Sequence, residues 1–394
     1  MTQALLVLNV GSSSVKFALY AAKDLTQLCR GHIDALGSGA QNTAWSGSLA
    51  TRLDDACPAS AVDHHGAIEW LLQTLRERLP DLELIGAGHR VVHGGMKFTD
   101  PMLINVSVTA ELEQLAPLAP NHQPHNLAAI RAVADLWPQL PQVVCFDTAF
   151  HRQQPRLAQL FALPRALTDQ GVLRYGFHGL SYAYLAGELP RFAGARADGR
   201  VVIAHLGHGA SLCALQNRRS VATTMGFSAL DGLMMGTRCG EVDPGVLLYL
   251  LQSGQYDTTQ ISDLLYNRSG LLGVSGLSDD VRELETSTDP RAREAIELFA
   301  YRAARELGSM AAALGGLDVL VFTAGIGERS AAMRAQICER ARWLGVELDA
   351  KANTAHASKI SSAASSVDVF VIATDEEIVI ARATRALLAN TRHS

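Results

Sequence analysis

A short segment near the start of the chain combines residue types that bind phosphate. The apolar residues 5–8 and 15–19 predict two buried strands, and Gly-Ser-Ser-Ser at 11–14 forms a turn too short for a helix. Backbone N–H groups, hydroxyls and the ammonium group of Lys16 would stabilise anionic oxygens. The segment predicts a phosphate-binding hairpin, with an ordinary serine-rich turn as the alternative. It is not a Walker loop, because G-x-x-x-x-G-K-[ST] is absent.

A second segment repeats this pattern half a chain later. Residues 202–215 again read as strand, small-residue turn and strand. Gly207 lies 196 residues after Gly11, and Ala214 lies 196 residues after Ala18, in a chain of 394 residues. A repeat of half the length predicts two similarly built domains, each with one phosphate-binding hairpin. The alternative is a chance match between two apolar hairpins.

Other polar residues stand at the ends of predicted strands, where sites form in α/β sheets. Residues 142–146 predict a strand that ends at Asp147, and residues 84–87 predict one that leads into Arg90. His178 lies between glycines, and Arg238 follows Gly236. Structural hydrogen bonding for the histidine and ion pairing for the arginines are the alternatives. The glycines favour a ligand role, because they leave room for close approach.

The C-terminal segment 374–377 follows a strand and opens a helix. Thr374 and Glu377 have the spacing of a capping box, so Glu377 is expected to turn back onto the cap amide. Glu376 would then be free to face the active-site cleft. The alternative is that Glu376 only complements the helix dipole.

The elements that position these residues alternate between helix and strand over most of the chain. Pro290 after Asp289 predicts the start of a long helix that ends at Gly315, followed by a strand over 317–322 and a turn over 324–327. Two further stretches are predicted to be surface connections, residues 37–50 and 352–366.

Composition excludes several classes of protein. Hydrophobic residues make up 48% and charged residues 19%, as in α/β enzymes. The net charge of −5 gives no basic field for nucleic acid. The six cysteines form no C-x-x-C pair, and no apolar run is long enough to span a membrane. No signal peptide is evident, so a cytoplasmic protein without membrane or nucleic-acid partners is expected.

Eight ordered motifs resemble those of the acetate kinase family, from about residue 5 to 385: V-L-N-V-G-S-S-S-V-K, G-H-R-V-V-H-G-G, F-D-T-A-F-H, R-Y-G-F-H-G, A-H-L-G-x-G-A-S, M-G-T-R-C-G, F-T-A-G-I-G-E and T-D-E-E. The resemblance implies two duplicated ribonuclease H-like α/β domains of the sugar kinase, heat-shock ATPase and actin superfamily. Their expected bounds are 1–149, with a C-terminal helix of about 378–394 packing back, and 150–377. It also implies a homodimer.

The resemblance also implies a role for each matched residue. Asp147 would be the active-site carboxylate, and His178 and Arg238 would stabilise the transferring phosphoryl group. Arg90 would bind the substrate carboxylate. The acyl pocket would also include Val92, Asn121, Phe177 and Ala229. The residues holding Mg²⁺, or Mn²⁺ in its place, would be Asn9 and Glu376. The nucleotide-binding residues would be Lys16, Ser12, Ser14, His205, Leu206, Gly207, His208, Gly209, Asp280, Val281, Arg282, Gly325, Ile326, Gly327, Glu328 and Arg329.

The implied reaction is a reversible, direct in-line transfer between ATP and acetate, giving acetyl phosphate and ADP. A carboxylic acid is already ionised at pH 7 and needs no general base. Charge neutralisation and alignment are needed instead, and arginine, histidine, lysine and the metal supply them. Asp147 is therefore expected to position metal-bound water or an arginine rather than to accept a proton.

Five positions depart from the family pattern. His208 stands where asparagine is usual, Ala324 where glycine is common and Arg329 where asparagine is common. Asn121 replaces a usual leucine, and Ala229 a frequent proline, which predicts a roomier and more polar acyl pocket. The identity of the acid therefore stays open.

Two alternatives to an acetate kinase remain. One is a propionate or butyrate kinase of the same family. The other is a chaperone-like, nucleotide-switched binding protein, in which Arg90 and Arg238 would have no obvious task. A family variant uses pyrophosphate, but residues 325–327 leave space for a base, which favours ATP.

Overall fold

The computed structural model describes residues 1–11, 14–34, 42–53, 56–58, 63–120 and 122–391. The chain forms two compact units, Met1–Ala149 with Asp375–Ser394, and Phe150–Thr374. Within the described ranges, no helix has both the length and the apolar character needed to cross a bilayer.

The first unit is built on a seven-stranded sheet in the order β4-β3-β2-β1-β5-β7-β6. Its parallel strands are β1, β5 and β7, and the remaining neighbours pair antiparallel. The strands are β1 (Thr2–Val10), β2 (Val15–Ala21), β3 (Gln27–Asp34), β4 (Asn42–Ser46), β5 (Leu82–Val91), β6 (Met102–Leu103) and β7 (Gln142–Phe146). The helices before the second unit are α1 (His64–Arg78), α2 (Val106–Gln114) and α3 (Gln123–Leu136).

The second unit is built on a five-stranded sheet in the order β10-β9-β8-β11-β12. Its strands are β8 (Val201–Leu206), β9 (Ala210–Gln216), β10 (Arg219–Thr223), β11 (Val319–Thr323) and β12 (Asp368–Val371). Its helices are α4 (Arg156–Gln159), α5 (Arg165–Asp169), α6 (Gly179–Glu188), α7 (Pro190–Ala193), α8 (Pro244–Gln252), α9 (Thr258–Asn267), α10 (Gly270–Ser275), α11 (Val281–Thr286), α12 (Pro290–Leu314), α13 (Ala324–Arg329), α14 (Ala331–Arg340) and α15 (Ala350–Thr354). The chain ends with α16 (Glu376–Thr391), which belongs to the first unit.

The two sheets share one topology. β3-β2-β1-β5-β7 and β10-β9-β8-β11-β12 each contain two antiparallel neighbours followed by three parallel strands. The predicted α/β fold with a duplicated domain is confirmed. β1 and β8 are buried along nearly their whole length, as central strands covered on both faces must be.

The second hairpin has a shorter loop than the repeat predicted. Four residues separate β1 from β2, whereas three separate β8 from β9. Asn9 pairs with Lys16, and His205 pairs with Ser211 one step from the loop in the same way. The uniform offset of 196 residues is therefore wrong for the second strand, where equivalent residues are 195 apart. The difference matters because a one-residue slip turns side chains to the opposite face of a strand.

Several local predictions also need correction. Residues 42–46 form β4 and pair with β3, so this stretch is not only a surface connection. β5 continues to Val91, which places Arg90 inside the strand rather than after it. The predicted turn over 324–327 is instead the first part of α13. The long helix α12 has the predicted bounds, with Asp289 as its N-cap and Gly315 as its C-cap.

Candidate functional site

The first unit holds Arg90 and Asp147 in a bidentate ion pair at the ends of neighbouring strands. Arg90 Nε lies 3.1 and 3.0 Å from the two carboxylate oxygens of Asp147, and Nη2 lies 2.5 Å from Oδ2. The side chain of Asp147 is 1% exposed and that of Arg90 is 16% exposed. Asp147 was expected to position either metal-bound water or an arginine. The structure shows it in contact with an arginine.

Asn9 connects this ion pair to the start of α16. Arg90 Nη1 donates to Asn9 Oδ1 at 3.2 Å, and Asn9 Nδ2 donates to Glu376 at 3.1 Å and to Glu377 at 3.3 Å.

The predicted capping box between Thr374 and Glu377 is wrong, because Asp375 Oδ1 accepts the N–H of Ile378 at 2.9 Å. A carboxylate is a strong N-cap, so Asp375 displaces Thr374 and leaves Glu377 beside Asn9.

The electrostatics of the pair follow from burial and mutual attraction. Burial raises the pKa of the Asp147 carboxyl, and the Arg90 guanidinium limits that rise. Burial alone would lower the pKa of Arg90, but Asp147, Glu376 and Glu377 together raise it. Arg90 therefore stays charged at any pH that the protein tolerates.

The same residues supply hard oxygen ligands. Glu376 and Glu377 present carboxylate oxygens beside Asn9. In the described part of the chain no three histidine, cysteine or acidic side chains form a closed cage for a metal ion. An open group of one or two carboxylates fits a divalent ion that also binds substrate phosphates and water.

In the second unit, Arg238 and His178 converge on Gly209. A Cβ atom added to Gly209 would lie 2.5 Å from Arg238 Nη2 and 3.2 Å from His178 Nε2. Any larger residue at this position would have to displace the end of the Arg238 side chain, and glycine lets the hairpin loop lie against both side chains as they stand. Arg238 Nη1 donates to the carbonyl of Ala229 at 2.8 Å, which fixes the guanidinium. His178 has a left-handed backbone, φ 57°, of the kind that clusters at functional sites.

Two hydroxyl groups orient a pair of stacked imidazoles. The rings of His178 and His205 lie 4.2 Å apart at 16°. His178 Nδ1 lies 2.8 Å from Ser211 Oγ, and His205 Nδ1 lies 2.8 Å from Ser181 Oγ. Both serines are fully buried, so each hydroxyl fixes one ring. These supporting serines were not predicted, although Ser211 lies in the A-H-L-G-x-G-A-S motif.

A cavity of about 360 Å³ opens beside the second hairpin. It brings together eight of the predicted nucleotide-binding residues: Gly207, His208, Asp280, Val281, Arg282, Gly325, Ile326 and Arg329. Three further lining residues were not predicted, Asp279, Glu285 and Ser330. His208, at a position that departs from the family pattern, lies 3.0 Å from Asp279.

Other predicted nucleotide residues lie elsewhere. Leu206 is fully buried in β8, and Gly327 packs against the backbone of Phe322. Glu328 folds back, and its Oε1 accepts the N–H of Ala324 at 2.9 Å. In the first unit, the carbonyl of Ser14 accepts the N–H of Gly11 at 2.9 Å, and Lys16 is exposed on β2. Ser12 lies outside the described residues.

The predicted acyl-pocket residues are divided between the units. Val92 is buried in the first unit, Phe177 is buried in the second, and Ala229 is half-buried. Asn121 lies outside the described residues. Sequence analysis did not single out His151, whose Nε2 donates to the carbonyl of Phe177 at 2.9 Å. The signal was present in the F-D-T-A-F-H motif.

Comparison with known proteins identifies close relatives. Residues 4–382 match the Acetokinase family. The chain is 55% identical to an acetate kinase of Rhodopseudomonas palustris over 97% of this chain and 98% of that protein. Its fold is similar to a propionate kinase from Francisella tularensis, with a TM-score of 0.88, 34% identity and coverage of 98% and 99%. It is also similar to Porphyromonas gingivalis acetate kinase, with a TM-score of 0.84, 36% identity and coverage of 98% and 100%.

Proposed function

Because the chain belongs to the acetokinase family, we propose that it is an acetate kinase, which transfers a phosphoryl group reversibly between ATP and acetate. The geometry of Arg90 is the observation that carries the proposal. Asp147 and Asn9 occupy three of its five N–H groups, and the remaining two have no acceptor among the described residues. A small carboxylate accepts two such N–H groups at once.

The proposed chemistry needs no proton acceptor. Acetate is ionised at neutral pH, so one of its oxygens attacks the terminal phosphorus directly. The barrier comes from bringing an anion to a polyanion, and preorganised donors lower it. Asp147 holds Arg90 in its binding orientation, which is a positioning role. His178 and Arg238, fixed by Ser211 and the Ala229 carbonyl, stabilise the charge on the transferring phosphoryl group.

Kinases of this family generally need a divalent metal ion, and we assign Mg²⁺, with Mn²⁺ as a substitute. Asn9 and Glu376 would hold it, directly or through water, and Glu377 lies beside them. When bound, the ion neutralises charge on the nucleotide phosphates. The cavity beside the second hairpin is assigned to the nucleoside of ATP, because Gly207 and Gly325 add no side chain to its wall and leave room for a base.

The proposal includes a homodimer that acts in the cytoplasm. α8 is apolar, yet none of its residues is buried; Leu248 is 57% exposed and Tyr249 is 70% exposed. An apolar helix of this kind is typical of a covered interface, and a second copy of the chain is the proposed partner. Leu248→Asp should shift the mass measured by light scattering from dimer to monomer. The cysteines are free thiols, as a reducing compartment permits.

The second candidate is a propionate kinase. The similarity to a propionate kinase structure favours it, as does Ala229, which leaves more room than proline would. One added methylene changes binding by only about 1–3 kcal/mol. Propionate should therefore be used within roughly tenfold to a hundredfold of acetate in kcat/KM.

Trapping acyl phosphate as a hydroxamate tests both candidates. Purified protein, ATP and Mg²⁺ would be assayed with acetate, propionate, butyrate and glycolate. Acetate is expected to give the largest kcat/KM, and Ala229→Pro should raise the ratio of acetate to propionate. A larger value for propionate would reassign the substrate, and the absence of product with every acid would refute the kinase.

A further inference from the structure

The second unit contains a fully buried arginine that the proposed chemistry does not use. Arg334 on α14 has no exposed surface and is the largest of the fully buried side chains. Among the described residues it forms no ion pair with a carboxylate. Charged side chains are almost never buried without a carboxylate or metal partner, so its surroundings need an explanation.

Backbone and side-chain acceptors satisfy at least four of the five N–H groups of Arg334. Its Nη1 donates to the carbonyls of Gly327 and Glu328, each at 2.9 Å. Its Nε donates to Asn353 Oδ1 at 2.8 Å, and its Nη2 donates to the Asn353 carbonyl at 2.9 Å. His356 Nδ1 lies 3.2 Å from Nη2 and 3.1 Å from the Glu328 carbonyl, so one tautomer accepts from the arginine and the other donates to the carbonyl. A planar five-donor group matches this set, and a lysine ammonium with three donors cannot.

Two of these acceptors belong to the segment that lines the nucleotide cavity. Gly327 and Glu328 lie in the last turn of α13, whose carbonyls have no partner within the helix. Gly325, Ile326 and Arg329 of the same six-residue helix line the cavity. At its other end, Glu328 accepts the N–H of Ala324. α13 is therefore held at its C-terminal end by Arg334 and at its N-terminal end by its own glutamate.

α13 would have little stability alone, because helices of one or two turns are marginal in water. We propose that Arg334 is a positioning residue for the nucleoside of ATP, which it fixes by holding the carbonyl end of α13. This inference rests on the proposed function, since it assigns the neighbouring cavity to the nucleotide. Arg334 touches no substrate; it acts through Gly325 and Ile326.

The test compares Arg334→Met and Arg334→Lys with Arg340→Met. Arg340 lies on the same helix and is exposed, so it controls for the loss of an arginine from α14. Arg334→Met should raise KM for ATP and the Kd for ADP, measured by calorimetry without acetate, by at least about tenfold. KM for acetate should change by less than about twofold. Arg334→Lys should behave like Arg334→Met, and Arg340→Met like the unchanged protein.

A loss of activity that is not specific to the nucleotide would contradict the proposal. If kcat and both KM values change together, or if the Kd for ADP is unchanged in folded Arg334→Met, Arg334 has only a structural role. If Arg334→Met does not fold, Asn353→Ala replaces it, because it removes one acceptor and leaves the arginine in place. The Kd for ADP needs no turnover, so it tests the inference even if the protein forms no acyl phosphate.

Discussion

At the base of the first hairpin Asn9 pairs across the strands with Lys16, and at the equivalent pair of the second hairpin His205 lies opposite Ser211. Around Asn9 the first unit places the carboxylates of Asp147, Glu376 and Glu377 with one guanidinium. Around His205 the second unit places a second imidazole, two hydroxyls and, beyond Gly209, another guanidinium. One topology therefore supports an oxygen-rich site suited to a cation and a donor-rich site suited to phosphate.

Removing the guanidinium of either unit tests whether both sites act in one reaction. Arg90→Ala and Arg238→Ala should each lower kcat/KM for acetate by orders of magnitude, because one preorganised donor contributes ~3–4 kcal/mol to transition-state stability. Arg131→Ala and Arg218→Ala are matched controls in surface ion pairs. Turnover near the control values, with unchanged circular dichroism, would show that Arg90 and Arg238 do not stabilise the transition state.

Each unit also contains a buried histidine whose pKa burial lowers strongly, which makes the acid responses of the two units comparable. Burial lowers the pKa of His89 and of His151 to about 4. Between pH 6.5 and 4 the unfolded chain binds these protons and the folded chain does not, so stability falls as the pH falls. The loss should reach ~3 kcal/mol for each residue near pH 4. Urea unfolding against pH should show a flatter profile for His89→Gln, with exposed His32→Gln as the control. Parallel profiles for the unchanged protein, His89→Gln and His32→Gln would contradict a role for His89 in the loss of stability at low pH.

At the start of α16, the metal-binding role proposed for Glu376 and Glu377 lies next to the capping role of Asp375. Glu376→Ala and Glu377→Ala should each raise the Mg²⁺ concentration needed for half-maximal activity by about 10- to 100-fold, with little change in Tm. Asp375→Ala should instead cost about 1 kcal/mol of stability, because the N–H of Ile378 loses its cap. Mg²⁺ titrations and thermal melts distinguish the two roles. A loss of stability in Glu377→Ala with normal Mg²⁺ dependence would restore the capping box.

The smallest expected effect concerns the second unit. Ala324 has φ 64°, a left-handed conformation that costs a residue with a Cβ atom about 1–2 kcal/mol. Ala324→Gly should stabilise the protein by about 0.5–1 kcal/mol after the added freedom of the unfolded chain is counted. Denaturant unfolding measures it. Equal or lower stability would mean that the glycine entropy outweighs the strain.

The sequence predicted the main strands and the long helix well, because apolar runs and glycine turns are local signals. It identified β1, β2, β8 and β9 and the capped helix α12. The sequence did not reveal which of several possible hydrogen-bond partners a side chain uses in the folded protein. Thr374 and Asp375 are both acceptable caps by residue type, and only the packed chain shows that Asp375 is used. Arg334 looks like a surface residue of α14, because its partners Asn353 and His356 are about 20 positions away.

The placement of α16 has a consequence for synthesis of the protein. Asn9 and Glu376 are hydrogen-bonded across 367 positions of sequence. At about 5–20 residues per second, roughly 20–70 s separate the translation of these two partners. The first unit must therefore wait at the ribosome without its last helix, with the apolar face of β5 that packs against Ile380 and Leu388 uncovered. Chains cut short before α16 would expose this face, which makes them targets for chaperones and proteases rather than partly active enzymes.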